Sequence, residues 1–221
     1  MLTSVRFTAL AACAMLLAGL AAPAEARPLK SLCDAMEPFR RISDLKYVKP
    51  VIRVKPQSEA VKPSDVAFTI EAKSGPIRFA PKADGTIELP LTDALCAENP
   101  EMTSNQPEGS VGFAVGIDPQ MPPVQSFDYR QLDELRRQWN EAVSRQNLMW
   151  RALAPSPKAF QLRFEPGRAA SAEIRLPQGV RKLAADANGD LVIPFDSAWT
   201  DANPAIVLSE MPKRIGLRFK N

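Results

Sequence analysis

A mainly β, α+β fold is what this sequence predicts: two related small β-sandwich-like units, each preceded by a helix and sharing a core. Three observations carry that reading. Residues 83–100, ADGTIELPLTDALCAENP, and residues 187–204, ANGDLVIPFDSAWTDANP, align without a gap at an offset of 104. Frequent prolines and Asx-Gly turns divide the chain into short β-prone runs. A long amphipathic helical stretch lies between the two copies.

The repeat keeps residue types that shape a backbone. Ala83, Gly85, Pro90, Ala94, Asn99 and Pro100 are matched by Ala187, Gly189, Pro194, Ala198, Asn203 and Pro204. Leu91 faces Phe195 and Leu95 faces Trp199, so large apolar side chains recur. VGFAV at 111–115 meets IGLRF at 215–219, and Ile70, Gly75 and Phe79 meet Ile174, Gly179 and Leu183. Self-similarity at a fixed offset marks a repeated supersecondary unit. Within each copy, Asp-Gly or Asn-Gly makes a turn, because these residues tolerate positive φ. A strand with a proline at its end follows. Thr92 or Asp196 then caps a short helix, which Asn-Pro ends by pushing the residue before proline out of the α region. Strands are expected at 51–55, 66–72, 77–80 and 111–117, and again at 160–165, 170–176, 180–184 and 213–219.

Residues 1–26 read as a signal peptide. Arg6 opens it, residues 7–22 are apolar, and an A-x-A site places cleavage after Ala26, with Ala24 as a second position. The apolar run falls short of the ~20 residues a membrane span needs, so no transmembrane segment is expected after processing. The mature protein is expected to be periplasmic or secreted. Export leaves Cys33 and Cys96, an even count read as a disulfide. The bond would close a loop of about 64 residues, stabilising by roughly 4 kcal/mol in the chain-entropy model. The expected divisions are 27–50, an N-terminal helical segment; 51–120, the first β repeat; 126–153, the amphipathic helix; and 159–221, the second β repeat.

In that helix Leu132, Leu135, Trp139, Ala142, Val143, Met149 and Leu153 fall near one face, and Asp128 with Gln131 forms a capping pair. A stripe of this kind buries against units too small to hold a core alone. A weaker helix is expected around 30–42, before the first copy.

The available chemistry is narrow. The chain contains no histidine, which removes Ser-His-Asp and Cys-His nucleophiles, imidazole bases and histidine metal ligands. Asp186, Asn188 and Asp190 have the alternation of a calcium loop, but Ser197 stands where the bidentate acid would, so a turn is expected and no metal. Asp93, Glu98 and Glu101 read as solvated carboxylates. From Gln125 onward there are fifteen basic and eleven acidic side chains, too scattered a surplus to argue for nucleic acid or an anionic membrane.

The copies differ after the Asn-Pro pair: EMTSNQPEG in the first, AIVLSEMPK in the second. Residues 101–109 are therefore expected to form an exposed loop or sheet edge that serves as an interaction surface, with Glu101, Asn105, Gln106 and Glu108 as contact residues. The expected function is a non-enzymatic binding or envelope-accessory protein with no cofactor, its partner an envelope protein. The alternatives are a histidine-independent hydrolase using carboxylates or a Ser-Lys pair, and a chaperone-like factor that pairs an edge strand with a client.

Overall fold

The computed structural model describes residues 24–219. The expected signal peptide therefore lies largely outside the described residues. Strand β1 (Ala24–Pro28) leads into α1 (Lys30–Met36), which continues as a 3-10 helix, Glu37–Ile42. Then come β2 (Val48–Pro56), a 3-10 turn at Pro63–Asp65, β3 (Phe68–Ala72), β4 (Gly75–Phe79) and the short β5 (Thr86–Ile87). Helix α2 (Asp93–Glu98), β6 (Glu101–Pro107) and β7 (Val111–Met121) complete the first half. The second half opens with β8 (Ser126–Asp128), α3 (Tyr129–Ser144) and α4 (Leu148–Leu153). It continues with β9 (Ala159–Arg163), β10 (Ser171–Leu176), β11 (Gly179–Ala184) and β12 (Asp190–Pro194). Helix α5 (Ser197–Ala202), β13 (Ala205–Leu208) and β14 (Arg214–Arg218) end it.

The protein is mainly β, and the strand pairings are antiparallel. The first half builds a sheet in the order β1-β6-β3-β4; the second builds one in the order β8-β13-β10-β11. A third sheet, β12-β9-β14-β7-β2-β5, takes strands from both halves. Its joint is narrow: β14 meets β7 only through Ile215 opposite Met121 and Gly216 opposite Gln120.

Local chemistry explains the matching elements. The Asp84 carboxylate accepts a hydrogen bond from the Thr86 N–H, and Asp186 accepts from Asn188 and Asp190, so both turns close on their own backbone. At Gly189, φ is +80° and a Cβ would lie 2.7 Å from the Phe164 carbonyl oxygen, so only glycine fits. Asn99 (φ 51°) and Asn203 (φ 47°) end α2 and α5 in the left-handed region. Each also reaches across to the helix that opens its half: Asn99 accepts from the Lys30 N–H and Asn203 from the Arg130 N–H.

Apolar burial follows the halves. Phe68, Ile70, Ile52 and Leu95 anchor one cluster; Phe160, Leu162, Leu135 and Ile193 anchor another. A third, smaller cluster of Phe39, Ile42, Leu45, Val48 and Ala142 bridges them. Val115 packs against the first and third, Ile117 against the second and third, so one apolar path runs through the molecule. The core is shared at this bridge rather than throughout.

Two expectations change. The helix expected to 153 stops at Ser144 and restarts at Leu148, because the Asn147 side chain accepts from the Trp150 N–H and caps a new helix. The restart turns Met149 and Leu153 outward, and both are exposed. The loop expected at 101–109 is instead strand β6 through Pro107, paired with β1 on one side and β3 on the other. Its alternation is real but polar: Met102 and Ser104 point inward and are buried. Strand β1 includes the two expected cleavage positions, Ala24 and Ala26, and pairs with β6 between Ala24 and Pro28.

Candidate functional site

A groove of about 610 Å³ opens in the first half. Phe39, Ile52 and Ile87 form its buried floor. Met36 and the cysteines line one wall, and residues 88–91 line the other. The volume falls within the range of small-molecule pockets, and the apolar lining matches their usual character.

The groove arises where the two halves differ. In the second half β12 pairs with β9 along its whole length, ending with Pro194 opposite Ala159. In the first half β5 pairs with β2 only at Ile52–Ile87 and Arg53–Thr86. Continuing that register toward the N-terminus of β2 brings Pro50, which has no N–H to donate, so the ladder ends. Residues 88–92 then turn on themselves: Leu91 N–H donates to the Leu89 carbonyl and Thr92 N–H to the Pro90 carbonyl. The segment leaves the sheet and opens the groove.

Side-chain size keeps it open. In the second half Tyr129 packs edge-on against Phe160 and Trp199, with ring centroids 5.8 and 5.6 Å apart, and Phe160 meets Phe195 at 4.7 Å. The Tyr129 hydroxyl donates to the Pro194 carbonyl and accepts from the Asp196 N–H, which pins the strand end to the cluster. Burial raises the Tyr129 pKa, so the hydroxyl keeps its proton. The matching first-half positions hold Leu29, Pro50, Leu91 and Leu95. Leu91 and Leu95 follow from the offset of 104. Pro50 follows because Ile52 and Leu162 pair with the matched Ile87 and Leu191. Leu29 follows because its N–H donates to the Pro100 carbonyl as that of Tyr129 does to Pro204. Of these four, Pro50 and Leu91 line the groove where the second half has Phe160 and Phe195, while Leu29 and Leu95 are buried in the first-half cluster.

Charges sit at the groove's rim. Arg40 pairs with Asp93 and Glu37, and the Asp93 hydrogen bond is the main cause of its raised pKa. Lys82 pairs with Glu88, which raises the Lys82 pKa in the same way. These exposed pairs contribute little to stability.

The residues singled out in the sequence fall in different places. Cys33 and Cys96 are joined as a disulfide, with Cα atoms 5.9 Å apart, and line the groove. Asn105 and Gln106 are engaged within the fold: Asn105 accepts from the Ala67 N–H, and both side-chain amides donate to the Asp65 carbonyl. Polar character in β6 thus serves to fasten the turn before β3. Glu101 lies opposite Pro28 at the end of β6, and Glu108 lies beyond Pro107 in the turn to β7. Asp93 is paired with Arg40, and Glu98 accepts from the Lys73 N–H, so the three weighed carboxylates are not gathered. Trp139 and Trp199 are buried, and Trp150 packs edge-on against Phe39. Among the described residues there is no cluster of three or more potential metal-ligating His, Cys, Asp or Glu side chains, and no helix is long and apolar enough to cross a membrane. The groove was hidden in the sequence. Its one signal was the substitution of aromatic residues by Leu and Pro between aligned copies. No family model matches the chain, and neither a curated protein nor a solved structure is similar to it.

Proposed function

We propose that the chain is an exported, non-enzymatic binding protein of the cell envelope whose first half takes an apolar ligand in the groove. The carrying observation is internal to the molecule: Pro50 and Leu91 line an open groove of about 610 Å³, whereas the residues aligned with them in the second half, Phe160 and Phe195, pack together with ring centroids 4.7 Å apart. An apolar volume open to water gives a ligand the full benefit of desolvation, about 25 cal/mol per Å² of apolar area covered. The disulfide braces one wall, which lowers the ordering cost of binding. Export is supported by the N-terminal apolar run with its A-x-A site and by that disulfide.

The test copies the second half into the first. Binding of the apolar fluorophore phenylnaphthylamine is measured for the native protein and for the Pro50→Phe/Leu91→Phe variant. Enhanced fluorescence with the native protein, and its loss on filling the groove, is the expected result. Equal enhancement in both folded proteins would remove the groove as the site. Leu89→Trp fills the same space without altering Pro50 if the double variant fails to fold.

A further inference from the structure

A second concavity, of about 290 Å³, lies on the six-stranded sheet where the two halves meet. The first half supplies Arg53 from β2 and Asp118 from β7; the second supplies Arg163 from β9 and Arg214 from β14. Arg53 and Arg214 both pair with the Asp118 carboxylate, Arg53 at 3.4 Å. Asp118 is only 16% exposed, so it holds the two guanidiniums side by side from beneath. Arg163 donates to Asp190 at 3.1 Å.

Two features make this more than a solvated sheet face. Arg163 and Arg214 stand directly opposite each other in the β9–β14 register. Like charges in that relation are unfavourable; Asp190 offsets Arg163 and Asp118 is shared between Arg53 and Arg214, so three guanidiniums face two carboxylates. Gly216 is the second feature: a Cβ there would lie 3.1 Å from the Pro119 carbonyl and 3.4 Å from the Arg214 Nε, so the missing side chain leaves the floor open beside the guanidinium. A second cleft of about 380 Å³ adjoins it and shares Asp118 and Arg214. Six basic and three acidic side chains line the two clefts together. Asp190 and Glu165 pair with Arg163 and Lys213 at the margins.

We infer that this three-arginine cleft is a binding site for a phosphate-bearing anion, independent of the apolar groove. Planar guanidinium forks match phosphate oxygens two at a time, and several forks converging on one cleft suit a group carrying more than one negative charge. Contacts from both halves would also make the ligand a clasp across the two-residue joint.

The probes are inorganic pyrophosphate, followed by titration calorimetry at low salt, and phosphatidylcholine vesicles with and without phosphatidylglycerol, followed by flotation. Binding of pyrophosphate identifies a soluble phosphate ligand, and binding only to phosphatidylglycerol vesicles identifies a lipid headgroup; either supports the site. Binding is expected to weaken at least about tenfold in Arg163→Gln/Arg214→Gln and to fall with added salt. Arg163→Gln alone, at an exposed side chain, carries the test if the double variant is unstable. The Leu89→Trp variant, altered at a residue that lines the groove and neither cleft, should bind both probes as the native protein does, which separates this site from the groove. Failure of both probes to bind the folded native protein, or unchanged binding in the arginine variants, would overturn the inference.

Discussion

Asn203 does two things that a single substitution would normally confuse. Its left-handed backbone ends α5, and its side-chain oxygen accepts from the Arg130 N–H at the start of α3, 2.9 Å away. Asn99 repeats both roles for α2 and α1, at 2.8 Å from the Lys30 N–H. Glycine and alanine separate them. Asn203→Gly keeps the backbone conformation and loses the bond, which should cost about 1 kcal/mol. Asn203→Ala loses the same bond but keeps a Cβ in the left-handed region, without the polar side chain that lets Asn adopt it, adding about 1 kcal/mol more. Urea unfolding of both variants checks this; equal losses would show that the backbone conformation carries no cost. The turns and helix ends were readable at this scale because Asn-Pro and Asx-Gly have steric consequences that need no tertiary context.

At the scale of elements, legibility depended on whether burial or local chemistry decided the outcome. The short helices at 93–98 and 197–202 follow from Thr92 or Asp196 as cap and Asn-Pro as stop, and the structure places them at those positions. Strand β6 was not legible, since only Met102 among its inward positions is apolar and its polar residues answer to Asp65 and Ala67, far away in sequence. The groove was hidden for the same reason, because Pro50 and residues 88–91 matter only once β2 and β5 are paired. The long helix shows both cases. Leu135 and Leu153 share one stripe in the sequence, yet Leu135 is fully buried and Leu153 is 73% exposed. Periodicity alone could not see the break at Asn147. Leu135→Ala should therefore cost about 2–5 kcal/mol, and Leu153→Gln no more than about 0.5 kcal/mol, by chemical unfolding. Comparable losses would mean that α4 is buried against something in solution.

Across the whole molecule, the two halves have separate apolar clusters, a bridging cluster and a sheet joint two residue pairs wide. Such a joint couples the halves less strongly than each is held within itself, so perturbing one should spare the other. The disulfide offers the cleanest perturbation, because both of its cysteines lie in the first half and the second has Thr200 at the place of Cys96. Cys33 is buried beside Leu32 and Leu29, and the bond ties α1 to α2 across 63 residues of chain. Removing it restores the freedom of that loop in the unfolded state, a loss of about 2–4 kcal/mol. In Cys33→Ser/Cys96→Ser, native-state hydrogen exchange should therefore quicken by about thirtyfold or more at β1, β3 and β6. Amides of β9, β12 and β14 should change by less than about threefold, because their cluster around Phe160 and Leu191 does not touch the bond. Uniform acceleration across both halves would show that the bridge of Phe39, Val48 and Ala142 welds them into one cooperative unit.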